Sequence, residues 1–303
     1  MNGTGPPASG TRRSLVRLWR ILGRPFWRAA LRFLDHEGPE MSGYIAFSIL
    51  LALFPFVLFL VAVAGVLGQN DAVQDFLAFA FEYLPVEVGR ALFPVVSDIV
   101  LRPPQGGVLT FSMLGTLWVA SSGVEALRTA LDRAYGVTER RAFWWRRLQG
   151  LGFVIGGAGA ILVAMLLIVV GPLLWQVVTA VLPLPYEVEA LWDVARYGSG
   201  GVAMVLVLWC LYRLLPNARQ RWINALPGAI LATAAWLAAA TLYSLYLKNI
   251  ADYTVTYGSL GGVIGALMFF FFTAMIFIYG AEMNLVLMEQ AEDGGRPQEE
   301  VAE

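Results

Sequence analysis

Six hydrophobic runs, each near the length that a helix needs to cross a bilayer, constrain this chain more than any other feature. About 20 apolar residues span the hydrocarbon core as a helix. Apolar residues make up 58% of the sequence and charged residues 14%, whereas soluble domains average roughly 25% charged residues. The sequence therefore predicts an all-α polytopic membrane protein with a membrane domain over residues 38–290. The predicted spans are 44–68, 108–127, 148–175, 198–215, 225–247 and 260–288.

The arginines set the orientation of these spans, because cytoplasmic segments of membrane proteins carry an excess of Lys and Arg. Of 21 basic residues, 17 lie before span one, between spans two and three, near the junction of spans four and five, or in the tail. This alternation predicts a protein of the inner (cytoplasmic) membrane with both termini in the cytoplasm. The first apolar run is long and begins far from Met1, so we expect no cleavable signal sequence.

Two terminal segments and one basic helix lie outside the spans. Residues 1–11 are expected to form a flexible leader and residues 291–303 an acidic disordered tail. Residues 12–37 alternate arginines with apolar residues at helical spacing, which predicts a basic amphipathic helix on the membrane surface. It either recognises lipid head groups or a polyanion, or only anchors the chain, and we favour the anchor. Its surface-binding arginines are Arg13, Arg17, Arg20, Arg24 and Arg28.

The outer side is expected to carry two amphipathic helices within residues 71–102 and a smaller loop at residues 179–197. The helices form either a lid over an outward opening or a packed interfacial hairpin. Within span one, Pro55 removes a backbone N–H group and predicts a helix kink. Glycines spaced by four residues predict close helix packing. These pairs are Gly152 with Gly156 and Gly261 with Gly265.

A polar cluster is predicted at the cytoplasmic side of the membrane. Glu282 is the single carboxylate of the last apolar run, and it lies roughly 9 Å inside the end of that run at the rise of an α-helix. Ionisable groups within spans normally face the protein interior and mark a pathway, a binding group or an ion pair. The cluster is either an ion-pair lock between spans or a hydrated site where Glu282 takes up a proton or a cationic group, and we favour the lock. The residues of this candidate cluster are Ser121, Ser122, Glu125, Arg128, Arg213, Tyr279, Glu282 and Asn284.

Catalytic constellations are absent from the sequence. His36 is the single histidine, and no His, Cys, Asp or Glu residues stand at metal-ligand spacing. No nucleotide-binding loop or nucleophile elbow is present. We therefore expect neither a metal nor another cofactor, and we do not expect an enzyme.

Several stretches together resemble the YihY/BrkB family of bacterial inner-membrane proteins, from about Arg28 to Glu289. The resemblance implies six spans in the cytoplasmic membrane and a link to envelope lipid or lipopolysaccharide traffic; one member was formerly labelled ribonuclease BN. The chain has Asp132 where the family often has Asn. The matching stretches are YIAFSILLALFP (44–55), LWVASSGVEAL (117–127) with LDRAY (131–135), LPN (215–217) with ALPGA (225–229), YGSLGG (257–262) and YGAEMN (279–284).

These observations favour a transporter or flippase that moves a lipid or another amphiphile in envelope biogenesis. Movement would be ion-coupled or partner-driven, since no nucleotide site is present. The alternative is a scaffold or assembly factor for envelope machinery that transports nothing, and a ribonuclease comes third. The expected partners are membrane lipids, envelope transport proteins and a second copy of the chain, without nucleic acid.

Overall fold

The computed structural model describes residues 23–67, 107–160, 186–249 and 260–294. Seven α-helices and no strand occur within these ranges, which confirms the all-α class. The described helices are α1 (Arg24–Asp35), α2 (Gly38–Leu67), α3 (Gly107–Ala134), α4 (143–160), α5 (Tyr186–Leu214), α6 (Trp222–Asn249) and α7 (Leu260–Gly294).

Each predicted span overlaps one of the helices α2 to α7, but the helix ends differ from the predicted ends. Helix α3 continues seven residues beyond its predicted span because its charged residues recur at helical spacing and pair within the protein. Helix α5 begins at Tyr186, so the loop predicted at residues 179–197 is wrong over all of its described part, residues 186–197.

Two of the described helices are long and apolar enough to cross a membrane, over residues 222–245 and 263–292. Two shorter apolar helices cover residues 38–53 and 200–214. The six-span topology and the domain boundaries remain predictions. Several predicted features lie outside the described residues: the leader, the outer helices at 71–102, and Arg13, Arg17 and Arg20. Helix α7 extends four residues into the predicted tail.

Helix α1 forms the described part of the predicted basic surface helix. Pro25 stands in its first turn, where a missing N–H group costs nothing. Ala29 and Phe33 face the protein, while Arg24 and Arg28 are exposed. The arginines thus lie on the side of α1 that points away from the helices beneath it.

One continuous core joins α2, α3, α5, α6 and α7 near the end of the molecule where α3 and α7 finish. Ile45 from α2, Leu131 from α3 and Tyr212 from α5 are nearly inaccessible there, as is Ile278 from α7. Helix α4 packs separately on α3 through small and β-branched residues. We call this end of the molecule the polar end, because it also holds the buried residues Arg128, Glu282 and Asn284. Pro55 lies inside α2, which continues on both sides of it.

Helices α6 and α7 approach each other closely at Gly228 and Gly280. A Cβ atom added to Gly228 would overlap the carbonyl oxygen of Gly280, and one added to Gly280 would lie 2.9 Å from the carbonyl oxygen of Gly228. The predicted pair Gly152 and Gly156 instead has no described atom within 4 Å of such a Cβ. Backbone contact therefore depends on glycines that face each other in space, not on their spacing in one helix.

We expect Gly228→Ala to destabilise the protein, because the new methyl group meets backbone that cannot move aside. Overpacking of this kind costs about 1–3 kcal/mol. The matched control is Gly115→Ala in α3, where nothing lies within 4 Å and alanine favours the helix by about 0.5–1 kcal/mol. Thermal unfolding in detergent measures both variants. Equal melting temperatures for the two would contradict the close approach.

Candidate functional site

The polar residues expected to form one cluster lie in two groups at the polar end. The first, which we call the α7 group, contains Glu282, Asn284 and Tyr279 together with residues of α1 and α6. The second, which we call the arginine network, joins Arg128 and Glu125 of α3 to the start of α4. No hydrogen bond or ion pair connects the two groups directly among the described residues.

Glu282 pairs with the single histidine of the chain. The carboxylate is completely buried, and its Oε1 atom lies 2.6 Å from Nδ1 of His36, whose side chain is 32% exposed. The other carboxylate oxygen, Oε2, is buried and has no hydrogen-bond partner in the described part of the chain. The pair therefore connects a carboxylate that is buried among apolar helices to an imidazole that is partly exposed to water.

A tight turn between α1 and α2 positions His36. His36 caps the C-terminus of α1, and the next residue, Glu37, adopts a φ of 56°. This is the left-handed region that a residue other than glycine seldom occupies. The turn brings the imidazole over α7 and directs the Glu37 carboxylate to Arg133, at 2.6 Å.

Helix α1 is fastened across the end of α7 by further contacts. Arg32 NH2 lies 2.7 Å from Oε2 of Glu289. The Tyr279 hydroxyl donates to the carbonyl oxygen of Phe26 at 3.0 Å, and Ala29 packs beside Met283 and Val286. Arg32 and His36 stand one helical turn apart, and their two carboxylate partners lie about two turns apart on α7. Arg32 and His36 thus approach the two carboxylates of α7 from the same side of α1.

Asn284 connects α7 to α6 and to the segment after α3. Its Oδ1 atom accepts from the backbone N–H of Gly228 at 2.6 Å, and its Nδ2 atom donates to the carbonyl oxygen of Ala225 at 3.2 Å. Nδ2 also lies 3.3 Å from the Tyr135 hydroxyl oxygen, which accepts. Burial raises the pKa of Tyr135 to about 12, so the phenol stays neutral. Three hydrogen bonds hold this amide, and its role in the structure is to lock helices together.

The arginine network is built around Arg128, whose side chain is 1% exposed. Arg128 forms an ion pair with Glu125, and it donates to the carbonyl oxygen of Arg146 at 3.1 Å and to Oε1 of Gln149 at 3.2 Å. Arg146 also approaches Glu125, at 3.2 Å. Removing a buried ionic group leaves its partners uncompensated, so this network holds α4 against α3.

Arg141 extends the network to the end of α5. It donates to the carbonyl oxygens of Leu215 at 3.0 Å and Pro216 at 2.7 Å, and to Gln149 at 2.9 Å. The Asp132 carboxylate accepts from the backbone N–H of Asn217 at 2.7 Å. The connection between α5 and α6 is therefore held by side chains from α3 and from the segment before α4.

Three residues of the predicted cluster contact no carboxylate within the ranges described. The Ser121 hydroxyl donates to the carbonyl oxygen of Trp118 in its own helix at 2.7 Å, and Ser122 is partly buried. The Arg213 guanidinium lies 5.6 Å from the centre of the Trp222 ring. Arg213, which was predicted to belong to the cluster, lies against an aromatic ring instead.

His36 is the functional candidate that the sequence did not reveal. The described residues contain no group of three His, Cys, Asp or Glu side chains that could hold a metal ion. The pair His36–Glu282 joins positions 246 residues apart, which no local pattern reports. The sequence contains one signal for this pair. The single histidine ends the basic helix, and the single carboxylate of the last apolar run lies near its end. Both are predicted on the cytoplasmic side of the membrane.

Comparison with known proteins assigns the family. The family model described as Virulence factor BrkB matches residues 29–303. This chain belongs to that family. The assignment confirms the resemblance recognised in the sequence.

Three relatives show how far the similarity extends. The "Putative ribonuclease-like protein YfkH" of Bacillus subtilis (strain 168) is 32% identical over 84% of this chain and 92% of its own length. A UPF0761 membrane protein of Paraburkholderia xenovorans (strain LB400) is 23% identical over 84% of this chain. Another, of Neisseria meningitidis serogroup B (strain ATCC BAA-335 / MC58), is 26% identical over 78%. The matches cover only 57% and 56% of these two longer proteins.

No solved structure matches the chain. The family and the names of the relatives identify a membrane protein, in agreement with its apolar helices.

We expect Arg128→Gln to lower the free energy of unfolding by about 3 kcal/mol, the usual cost of removing one partner from a buried ion pair. The matched control is Arg140→Gln, because Arg140 is exposed and surface substitutions usually change stability by less than about 0.5 kcal/mol. Melting temperatures of the two variants in the same detergent decide the matter. A loss of the same size in both would show that net charge, not the buried network, sets stability.

Proposed function

We propose that this protein moves a lipid or another amphiphile across the inner membrane, and that the pair His36–Glu282 is the protonatable group of this movement. The supporting observation is the state of Glu282: a completely buried carboxylate, on a helix apolar enough to span the membrane, with one oxygen lacking a hydrogen-bond partner in the described part of the chain. Ionisable groups in such positions commonly mark ion or substrate pathways.

The proposal places the polar end, with His36, in the cytoplasm. The positions of the arginines in the sequence support this orientation. His36 is partly exposed and Glu282 is not, so a proton from the cytoplasm would reach the carboxylate through the imidazole. A buried carboxylate that gains a proton loses its negative charge, and with it the attraction for any positive group beside it. Protonation would therefore loosen the contact between α1 and α7.

The pair is suited to coupling because it connects α7, which lies in the core, to α1, which lies on the surface of the protein. Helix α7 is embedded in the core through Ile278 and Ala281, whereas α1 touches the rest of the protein with one face and exposes Trp27 and Leu34 on another. A change in charge at Glu282 would act on the helix that is held by fewer contacts. Proton uptake at the polar end would thus change how α1 lies on the membrane surface.

A scaffold without transport activity is the second candidate, and the arginine network favours it. Arg128 and Arg141 use their guanidinium groups to hold α3, α4 and the end of α5 in place. Such a network suits a rigid body that presents a surface to partners. A ribonuclease remains third, because Glu125 and Glu282 belong to different groups.

A lipid-scrambling assay tests the proposal. The full chain is reconstituted into liposomes with a fluorescent lipid, and the movement of that lipid between leaflets is followed by chemical quenching from outside. We expect the wild type to accelerate movement over protein-free liposomes. Glu282→Gln should slow the protein-dependent rate by about tenfold or more, which corresponds to about 1.4 kcal/mol on the barrier.

The matched control is Glu292→Gln, an exposed carboxylate ten residues further along the same helix, and it should leave the rate unchanged. Size-exclusion profiles and melting temperatures establish that each variant is folded. If the wild type moves no more lipid than protein-free liposomes, the transport function is wrong. If Glu282→Gln moves lipid as fast as the wild type, the role given to the carboxylate is wrong. Loss of stability in Glu282→Gln without lipid movement by any variant would favour the scaffold.

A further inference from the structure

Three large aromatic side chains stand exposed in succession at the start of α4. Phe143, Trp144 and Trp145 expose 52%, 74% and 59% of their surface. Trp144 packs edge-to-face on Phe143, with ring centres 5.5 Å apart, and on Trp118 of α3 at 6.5 Å. In water this arrangement leaves a large apolar surface uncovered, whereas tryptophan is enriched where a bilayer meets water.

Two arginines border these rings. Arg140 is exposed and forms no ion pair with any residue that the structure describes. The Arg147 guanidinium carbon lies 3.8 Å from the centre of the Trp118 ring, and its NH2 group donates to the Trp118 carbonyl oxygen at 3.0 Å. A guanidinium over an aromatic ring is attracted to the π-face. Nε of Arg147 is buried, whereas its NH1 group makes no hydrogen bond to any described residue. We call Arg140, Phe143, Trp144, Trp145 and Arg147 the α4 surface.

The nearby carboxylates are engaged with other groups. Glu125 is shared between Arg128 and Arg146. Glu139 accepts from the backbone N–H of Arg141 at 2.8 Å and lies 3.8 Å from Arg128. Among the described residues, no acidic side chain forms an ion pair with Arg140 or Arg147, although Glu125 attracts Arg147 from a greater distance.

The α4 surface lies beside Trp118, near the end of the apolar part of α3. Trp118 lies one turn before Ser121, where the apolar part of α3 gives way to Glu125 and Arg128. The part of α4 that follows the aromatic residues packs on Leu117 and Ala120, in the apolar part of α3. Aromatic rings at this boundary sit at the level of the ester and phosphate groups, and arginines beside them meet the phosphates.

We infer that the α4 surface binds anionic phospholipids, with the rings at the level of the acyl ester groups and Arg140 and Arg147 on the head-group phosphate. The inference is separate from transport, since it requires only that the chain lies in a membrane. The partner fits by charge, because a zwitterionic lipid offers the phosphate together with a cation that the two arginines repel. Single-stranded RNA also binds surfaces of aromatic and basic residues, but the continuity of this surface with the apolar side of α3 favours lipid.

Lipid binding to the full chain in detergent tests the inference, with phosphatidylglycerol against phosphatidylcholine measured by native mass spectrometry. We expect a preference for phosphatidylglycerol that Arg140→Gln weakens about fivefold, the effect of about one lipid-facing arginine. Trp144→Ala with Trp145→Ala should weaken the binding of both lipids. Arg140→Lys should keep most of the preference, because the charge remains.

The matched control is Arg219→Gln, which removes an exposed arginine that belongs to neither group at the polar end and contacts no ring in the described structure. It should leave the preference unchanged. An equal loss in Arg219→Gln and Arg140→Gln would overturn the inference, since total charge would then explain the binding. So would the absence of any preference, or displacement of the lipid by a short single-stranded RNA that binds the wild type and not Arg140→Gln. If the double tryptophan variant does not fold, Arg140→Gln against Arg219→Gln decides alone.

Discussion

Charged and polar side chains buried among apolar helices must find their partners inside the protein, and this constraint organises the polar end. A buried polar group without a partner costs about 1–3 kcal/mol, and a charged one costs more. Arg128 meets the constraint with a carboxylate, a backbone carbonyl and an amide, and Asn284 meets it with three hydrogen bonds. Glu282 meets it with one oxygen only. Other buried atoms without a partner occur among the described residues, and Nε of Arg128 is one of them. Of the residues with such an atom, Glu282 is the ionisable one on a helix apolar enough to span a membrane, and to it we assign function.

The same constraint explains why α6 and α7 lie so close together. The Asn284 amide reaches the backbone of α6 because neither Gly228 nor Gly280 has a side chain in the way. Close packing and hydrogen bonding therefore depend on each other here: without the glycines the amide would lose its partners, and without the amide two backbone groups of α6 would lose theirs. A rigid contact between α6 and α7 gives Glu282 a fixed position one turn or less from the lock.

Arg140 and Arg141 show how neighbouring residues of one type take opposite tasks. Arg141 turns inward to the carbonyl oxygens after α5, whereas Arg140 remains exposed beside the aromatic rings of α4. In the sequence both count equally toward the excess of positive charge on one side of the membrane. Their difference arises from the direction of each side chain once the segment before α4 is held between α3 and α5. The positive-inside rule depends on the total number of such charges and does not show which contacts each arginine makes.

The sequence by itself determined the all-α class, the position of a helix at each apolar run and the family, because helix formation and apolar length are local properties. It also selected Glu282, Asn284 and Arg128 as residues too polar for their surroundings. Only the tertiary structure decided that these residues form two groups, that His36 is the partner of Glu282, and that Gly228 faces Gly280. These pairings depend on contacts between helices that are far apart in the chain. There the shapes of the packed helices and the directions of hydrogen bonds determine which residues meet, and the order of residues shows neither the shapes nor the directions.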